Sequence, residues 1–415
     1  MTDALPTGLI DELVRRESAR VVGMLVRMLG SVDRAEETFQ EGLVAALERW
    51  PVEGVPRNPA AWLVTVAKHR AIDAIRLERL HETKHETIAR EAPPTPASPV
   101  GLPDDRLRLV FTCCHPALST ESQVAITLRL VCGLGTDEIA RAFLVSEPTI
   151  AQRLVRAKRT IAERRLPYEV PSAAELPERL SAVLAVVYLV FNEGYMASAG
   201  TLLQRVDLAR EAIELGTLLA ELLPDEPELH GLMALMELQT SRSAARTDAA
   251  GEIVLLEDQD RGRWDRTRIA RGLGWLARSR ASDDAGPYRL QAEIAGCHAT
   301  AASWAATDWH RIATLYAALA AVTPSPVVEL NRAVAVGMAF GPAAGLELVD
   351  ALASEPSLKG YHHLPSARGD LLEKLGRTGE ARAEFERAAS LTQNAREREL
   401  LLQRAAACSR GGAAS

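Results

Sequence analysis

Thr149, Gln152, Arg153, Arg156, Lys158 and Arg159 follow one another at steps of three, one, three, two and one. On a helix that order gathers hydroxyl, amide and guanidinium groups on one face. Such groups have a definite chemistry. Gln and Arg make paired hydrogen bonds to base edges in a DNA major groove, while the remaining cations hold phosphates. From Ser146 to Leu166 six basic residues stand against two acidic ones, Glu147 and Glu163. The plain alternative is a solvated basic helix with no nucleic-acid role.

The elements that must position this face are legible around it. Ile150, Leu154, Ala157 and Ile161 recur at steps of four, three and four, giving the helix an apolar stripe opposite its basic face. Ser146 is the expected N-cap, and Pro148 falls where a missing amide donor costs nothing. Upstream, Ile139, Ala140 and Phe143 mark a shorter helix with Thr136 as its expected cap, joined to the longer one through Leu144, Val145 and Ser146. The stretch Leu134–Arg165 therefore predicts a helix-turn-helix, whose second helix presents its N-terminal side chains to bases.

Two further helices earlier in the chain carry polar faces. In the segment from Asp33 to Trp50, Ala35, Phe39, Leu43, Ala46 and Leu47 form the expected apolar side, and Glu36, Glu37, Gln40 and Glu41 an acidic one suited to a basic partner. PVEGVPRNP then breaks the pattern. The helix that follows places Trp62, Leu63, Val66, Ala67, Ile72 and Ile75 on its core side and Lys68, His69, Arg70, Arg76 and Arg79 on a basic side. Trp62 has two readings, core packing or stacking on unpaired bases. Residues 91–105, EAPPTPASPVGLPDD, hold five prolines and predict a linker.

Composition narrows the classes. A chain of 415 residues that is 47% hydrophobic but only 4% aromatic, rich in Ala and Leu, predicts an all-α protein. The net charge of −7 excludes a generally basic coat, so any nucleic-acid surface must be local. Five cysteines without a CxxC pair, and an N-terminus without the signal-peptide pattern, lead to the expectation of a cytoplasmic protein. No apolar run approaches the roughly 20 residues of a membrane span.

The order of acidic helix, Trp-led basic helix, Pro-rich linker and LSTESQVAITLRLVCGLGTDEIARAFLVSEPTIAQRLVRAKRTI resembles bacterial sigma factors of the extracytoplasmic-function (ECF) type. The resemblance covers about residues 8–166. It implies a region 2-like domain over 8–88, a linker over 89–105 and a region 4-like helix-turn-helix domain over 106–166. It also implies that Glu37, Gln40 and Glu41 contact core RNA polymerase. By the same resemblance Lys68, His69, Arg70 and Arg76 lie near the minus-ten promoter element, and Thr149, Gln152, Arg153 and Arg156 near the minus-thirty-five element, with Lys158 and Arg159 on the same DNA face. Such a protein directs polymerase to promoters and needs no cofactor of its own.

Sigma factors of this type usually end soon after the second module, yet here the chain continues. Residues 167–410 read as a helical extension, in which LLEKLGRTGEARAEFERAASL resembles a tetratricopeptide-type hairpin through Leu375, Gly376, Gly379, Ala381, Phe385 and Ala388. VAVGMAFGPAAGLELVDAL aligns with it more loosely, Gly341 against Gly379. Val183, Val187, Val190 and Phe191 mark a strongly apolar helix at the start of the extension. The overall arrangement resembles the subgroup of ECF sigma factors with a fused extension, which implies regulation of activity, either as a substitute for a separate anti-sigma partner or as an aid to polymerase engagement, with its sign left open. The charged stretch Ser241–Arg266, around a strand-like run Glu252–Leu256, is a candidate regulatory loop through Arg246, Asp248, Asp258, Asp260 and Trp264; its plain reading is a salt-bridged lid.

Catalysis is not expected: the chain has no phosphate loop, no GxSxG elbow and no HExxH helix. No metal site is expected either: CCHP at Cys113–Pro116 and His362-His363 invite one, but Cys113, Cys114 and His115 are adjacent and splay, and Cys297-His298 lacks a second pair at finger-like distance. The rival within DNA binding is a stand-alone helix-turn-helix repressor or activator with a tetratricopeptide-like effector or dimerisation domain. A third class is an interaction scaffold with no DNA or polymerase association.

Overall fold

The computed structural model describes residues 7–85, 105–143, 145–196, 199–200, 203–282 and 284–411. The described residues are mostly helical, and the strand pairings among them are a two-residue parallel pairing of Ala199–Gly200 with Gln393–Asn394 and one isolated antiparallel bridge. They divide into two compact units, Met1–Leu189 and Val190–Ser415. Among the described residues no helix is long and apolar enough to cross a membrane.

In the first unit α1 (Thr7–Leu29), α2 (Val32–Glu53) and α3 (Pro59–His85) pack around Val21, Leu25, Ala35, Phe39, Ala46, Leu63, Ala67 and Ala71, all buried. Ser31 caps α2 by accepting from the Arg34 amide at 3.4 Å. Pro51 lies inside the last turn of α2, so the helix runs into the segment expected to break it. Trp62 is half-buried edge-on to the buried Trp50, with ring centroids 5.3 Å apart, a contact that supports its core-packing reading. Leu47 departs from expectation. The buried ladder runs Phe39, Leu43, Ala46, Trp50, and Leu47, about 100° further round the helix, is 53% exposed.

The Pro-rich linker lies outside the described residues except for Asp105, where α4 (Asp105–Cys113) begins. After it come α5 (Thr120–Leu130), α6 (Thr136–Ala142) and α7 (Glu147–Glu163). Ile150, Leu154, Ala157 and Ile161 are buried, as their spacing requires. Ser146 caps α7 by accepting from the Thr149 amide at 3.3 Å. Replacing Ser146 with Ala should therefore lower stability by about 1 kcal/mol, readable as a small fall in the unfolding midpoint of the first unit. Thr136 is not the cap of α6. Gly135 holds that place, and its amide donates to Glu138 Oε2 at 2.7 Å, so the cap is supplied backwards from inside the helix.

The first unit does not stop at residue 166. The Tyr168 hydroxyl reaches the carbonyl oxygens of Gly23 (2.7 Å) and Asp105 (2.9 Å), and Arg179 donates to the Phe111 carbonyl at 2.8 Å. α8 (Leu176–Tyr195) holds the boundary between the units, and Val183, Val187, Val190 and Phe191 are all buried.

The second unit continues through α9 (Val206–Leu222), α10 (Pro227–Thr240), α11 (Arg266–Ser279), α12 (Pro287–Thr300) and α13 (Trp309–Val322). It ends with α14 (Pro326–Phe340), α15 (Pro342–Ala351), α16 (His363–Lys374), α17 (Thr378–Leu391) and α18 (Ala395–Gly411). Small residues set the close pairings. A Cβ on Gly345 would stand 2.7 Å from the Gly337 Cα, bringing α15 onto α14, and one on Gly369 would stand 2.8 Å from the Phe385 ring, bringing α17 onto α16. Ala381, Phe385 and Ala388 are buried as expected, whereas Leu375 is 37% exposed. The first helices of the two pairs start 37 residues apart (363 − 326) and the second helices 36 (378 − 342), where matching Gly341 with Gly379 would need 38. Gly341 has φ 103°, and it is this turn geometry that puts glycine there.

Candidate nucleic-acid interface

α7 presents Gln152, Arg156 and Arg159 fully outward, with Thr149, Arg153 and Lys158 half-buried at the edges of the same face. Thr149 Oγ1 is 2.8 Å from Ser146 Oγ, which ties it to the cap, and Arg159 pairs with Glu163 at 2.7 Å. On α3, Lys68, His69 and Arg76 are exposed, and Arg76 lies 3.6 Å from Asp73. On α2, Glu37 and Glu41 are exposed beside half-buried Gln40. The same face carries Val44 and Leu47, 51% and 53% exposed.

These surfaces are not separate. Asp33, Glu36, Glu37, Gln40, Glu41 and Val44 of α2, Arg70 of α3 and Lys158 of α7 line one open cleft of about 610 Å³. Arg70 pairs with Glu41 at 2.8 Å. Lys158 Nζ stands 2.6 Å from Glu36 and 3.1 Å from Asp33, and Arg129 of α5 reaches the other Glu36 oxygen at 2.6 Å. Glu36 is thus clasped by two cations from the α4–α7 half. Sequence reading placed it on the acidic face without a partner, and Arg129 carried no signal that would have supplied one.

The charges respond to this clasp. Burial by itself raises the Glu36 carboxyl, but the hydrogen bond and charge of Lys158, then those of Arg129, outweigh it and hold the group below its ordinary value of 4.5. Burial by itself lowers the Lys158 ammonium, and Glu36 and Asp33 more than reverse it, so it lies above 10.5. Both shifts have the sign of a pair that holds its charges.

Around the clasp the two halves touch closely. The Ser18 hydroxyl donates to the Val131 carbonyl at 3.0 Å, and Arg15 pairs with Glu138 at 2.8 Å. Gly133 has φ 73°, and a Cβ there would stand 2.9 Å from the Val14 carbonyl.

Comparison with known proteins gives this arrangement its identity. Residues 13–80 match the family described as Sigma-70 region 2, residues 108–161 match Sigma-70, region 4, and residues 179–280 match a family of unknown function, DUF6596. The ECF RNA polymerase sigma factor SigK of Mycobacterium tuberculosis (strain ATCC 25618 / H37Rv) is 30% identical over 158 residues, which cover 36% of this chain and 82% of that protein. The chain belongs to the ECF RNA polymerase sigma factor family. SigK of Mycobacterium sp. (strain KMS) is 31% identical over 150 residues, covering 34% of this chain and 75% of that protein. An uncharacterized protein, R00370, of Rhizobium meliloti (strain 1021) is 45% identical over 410 residues, covering 96% of this chain and 94% of its own length. No solved structure matches. In sigma-factor terms α1–α3 are region 2, α4–α7 are region 4, and the remaining helices form a C-terminal extension that includes the DUF6596 match.

In that extension the candidate loop is held by anchored turns and by ion pairs, Glu252 with Arg396 at 2.6 Å and Asp265 with Arg268 at 3.7 Å. The Arg246 guanidinium is buried over the Tyr195 ring at 4.0 Å and donates to the Tyr195 carbonyl. Asp248 accepts from the Ala250 and Glu252 amides, both at 2.9 Å, and closes a turn whose arms meet in a single bridge, Thr247 to Ile253. That bridge is what the strand-like run Glu252–Leu256 amounts to. Asp260 accepts from the Gly262 amide at 2.8 Å, while Asp258 stays exposed. Trp264 is buried among Leu238, Ala245, Ile269 and Ala299.

Proposed function

We propose that this chain docks core RNA polymerase through the exposed face of α2 and reads promoter DNA through α3 and α7, as a sigma factor whose region 2 and region 4 clasp one another when no partner is bound. The observation that carries the docking surface is the composition of that face. Glu37, Gln40 and Glu41 stand beside Val44 and Leu47, so acid groups that suit a basic partner border apolar area left open to solvent. Lys68, His69, Arg70 and Arg76 serve the minus-ten element in this reading, and Thr149, Gln152, Arg153, Arg156, Lys158 and Arg159 the minus-thirty-five element.

Converting both Glu37 and Glu41 to Lys tests the reading. Both side chains are exposed, and the Arg70–Glu41 pair is a surface pair worth at most about 1 kcal/mol, so the fold should survive. Co-purification with core polymerase is expected to be lost while circular dichroism stays unchanged. Retained association would favour the stand-alone repressor or activator, which has no use for this face.

The clasp supports a further reading of regulation. Lys158, assigned to DNA, is held across the cleft by Glu36 and Asp33 of α2, beside the Glu37 and Glu41 assigned to polymerase, so that part of the DNA face is engaged until the halves separate. The C-terminal extension regulates this opening and replaces a separate anti-sigma partner. A truncation that ends at Leu189 keeps Tyr168 and Arg179 in the first unit, which a cut at Pro167 would strip away. Run-off transcription by that truncation should differ severalfold from the full chain. Equal rates would remove the regulatory role.

A further inference from the structure

Outside the sigma modules, one cluster in the extension has the composition of a metal centre. His362 is the N-cap of α16, His363 its first residue, and Glu397 sits in the first turn of α18. Adjacent side chains on a helix normally diverge by about 100°. These two side chains nevertheless converge, with ring centroids 3.9 Å apart. One ligand atom from each of His362, His363 and Glu397 lies within 4.8 Å of the others. His362 Nε2 is already 3.1 Å from Glu397 Oε2.

The chemistry of the set is selective. Two imidazoles and one carboxylate suit first-row divalent ions, whose ligands at about 2.0–2.2 Å from the ion stand roughly 3–3.5 Å from one another. The three groups therefore need only a side-chain adjustment on the order of 1 Å to close on an ion. Glu397 is also oriented from behind, since Thr392 Oγ1 donates to its Oε2 at 2.7 Å, as outer partners of metal ligands commonly do. All three residues are half-buried, enough to exclude bulk water without sealing the site.

An independent feature adjoins the cluster. The same three residues line a cavity of about 240 Å³ together with the loop residues Ile253, Val254, Leu255 and Gln259. Three protein ligands with open space in front leave coordination positions for water or a small ligand. Arg242 and Arg246 also line the cavity, but both guanidinium groups lie over the Tyr195 ring, at 5.6 and 4.0 Å, and Arg246 is further held by the Tyr195 carbonyl.

From this geometry we propose that His362, His363 and Glu397 bind one first-row divalent metal ion, with its remaining coordination positions open to the cavity beneath the Arg246–Gln259 loop. The proposal does not depend on the sigma-factor reading. It gives the extension a ligand site of its own, placed against the loop that the sequence singles out as a candidate for regulation.

The test uses the full chain, stripped with chelator and titrated with Zn²⁺ by calorimetry and with Co²⁺ by absorption. A single equivalent should bind, with visible d–d bands and no thiolate charge-transfer band in the near ultraviolet. Glu397→Gln, which keeps the shape of the side chain, and His363→Ala should each abolish stoichiometric binding. Thr392→Val should weaken it about tenfold, the usual cost of losing an outer partner. No uptake by the unaltered chain overturns the proposal, as does unchanged uptake in Glu397→Gln or a thiolate band that places the ion at cysteine. If His363→Ala does not fold, pulsed electron paramagnetic resonance of the unaltered Cu²⁺-loaded chain decides. Coupling to two imidazoles is expected, and coupling to none overturns the site.

Discussion

Replacing Glu36 with Lys should open the clasp between region 2 and region 4 and lower the stability of the first unit by about 3 kcal/mol, because it leaves three cations together where one carboxylate had held two. Glu36 has 11% of its side chain exposed, and Arg129 and Lys158 are 22% and 20% exposed, so solvent screens the new repulsion only in part. The Ser18–Val131, Arg15–Glu138, Arg27–Asp105 and Lys158–Asp33 contacts would then remain to hold the halves. Fluorescence energy transfer between labels at the exposed positions Glu48 and Arg156 reads the separation directly. Efficiency should fall on substitution, and the affinity of the polymerase-free chain for promoter DNA should rise. Unchanged transfer efficiency and an unchanged melting profile would remove the clasp from the account.

The pH dependence of the same contact has a definite sign. Glu36 is lowered from 4.5 in the folded chain, so its contribution is present above 4.5 and is lost as pH falls through the lowered value. Lys158 is raised from 10.5, so its contribution is present below 10.5 and is lost as pH rises beyond that. Between the two the clasp is fully formed. Acid should raise the separation of the labels in the unaltered chain and leave Glu36→Gln, which has no carboxylate to protonate there, less responsive.

The second large effect belongs to the extension. Gly231 of α10 lies so close to the start of α12 that a Cβ would stand 2.6 Å from the Arg289 amide nitrogen and 2.9 Å from its Cα. The obstacle is backbone, which cannot rotate away. Three residues earlier, Glu228 accepts from the Tyr288 and Arg289 amides at 2.9 and 3.2 Å and so caps α12 from a neighbouring helix. Gly231→Val must push the helices apart and break those bonds together, a loss of about 3 kcal/mol or more. Calorimetry should show the transition of the second unit falling by several degrees while that of the first stays in place. Gly274→Ala is the matched control. Nothing lies within 4 Å of the added Cβ in the exposed middle of α11, so this substitution should stabilise by about 0.5–1 kcal/mol. Equal behaviour of the two variants would show that the α10–α12 approach is softer than the geometry implies.

The helix-turn-helix was legible because everything that makes it is local. The apolar ladder Ile150, Leu154, Ala157, Ile161 and the Ser146 cap act over one to four residues, and neighbours in sequence carry all the information. The same locality explains why the outward placement of Gln152, Arg156 and Arg159 could be read without a fold. Where local rules left two answers, the expectation slipped. Thr136 and Gly135 could each start α6, and Glu138 chose Gly135; Leu43 and Leu47 could each follow Phe39, and Trp50 extended the ladder through Leu43 and Ala46.

The sequence by itself thus determined the helices, their inner and outer faces and the family to which the first 166 or so residues belong. Only the tertiary structure decided which charges meet. Glu36 finds Arg129 and Lys158 at separations of 93 and 122 residues (129 − 36 and 158 − 36), and His362 and His363 find Glu397 on another helix. No periodicity links such partners. Their meeting depends on how whole helices pack, and a charge whose nearest neighbours in sequence are solvated gives no sign of what the fold will bring against it.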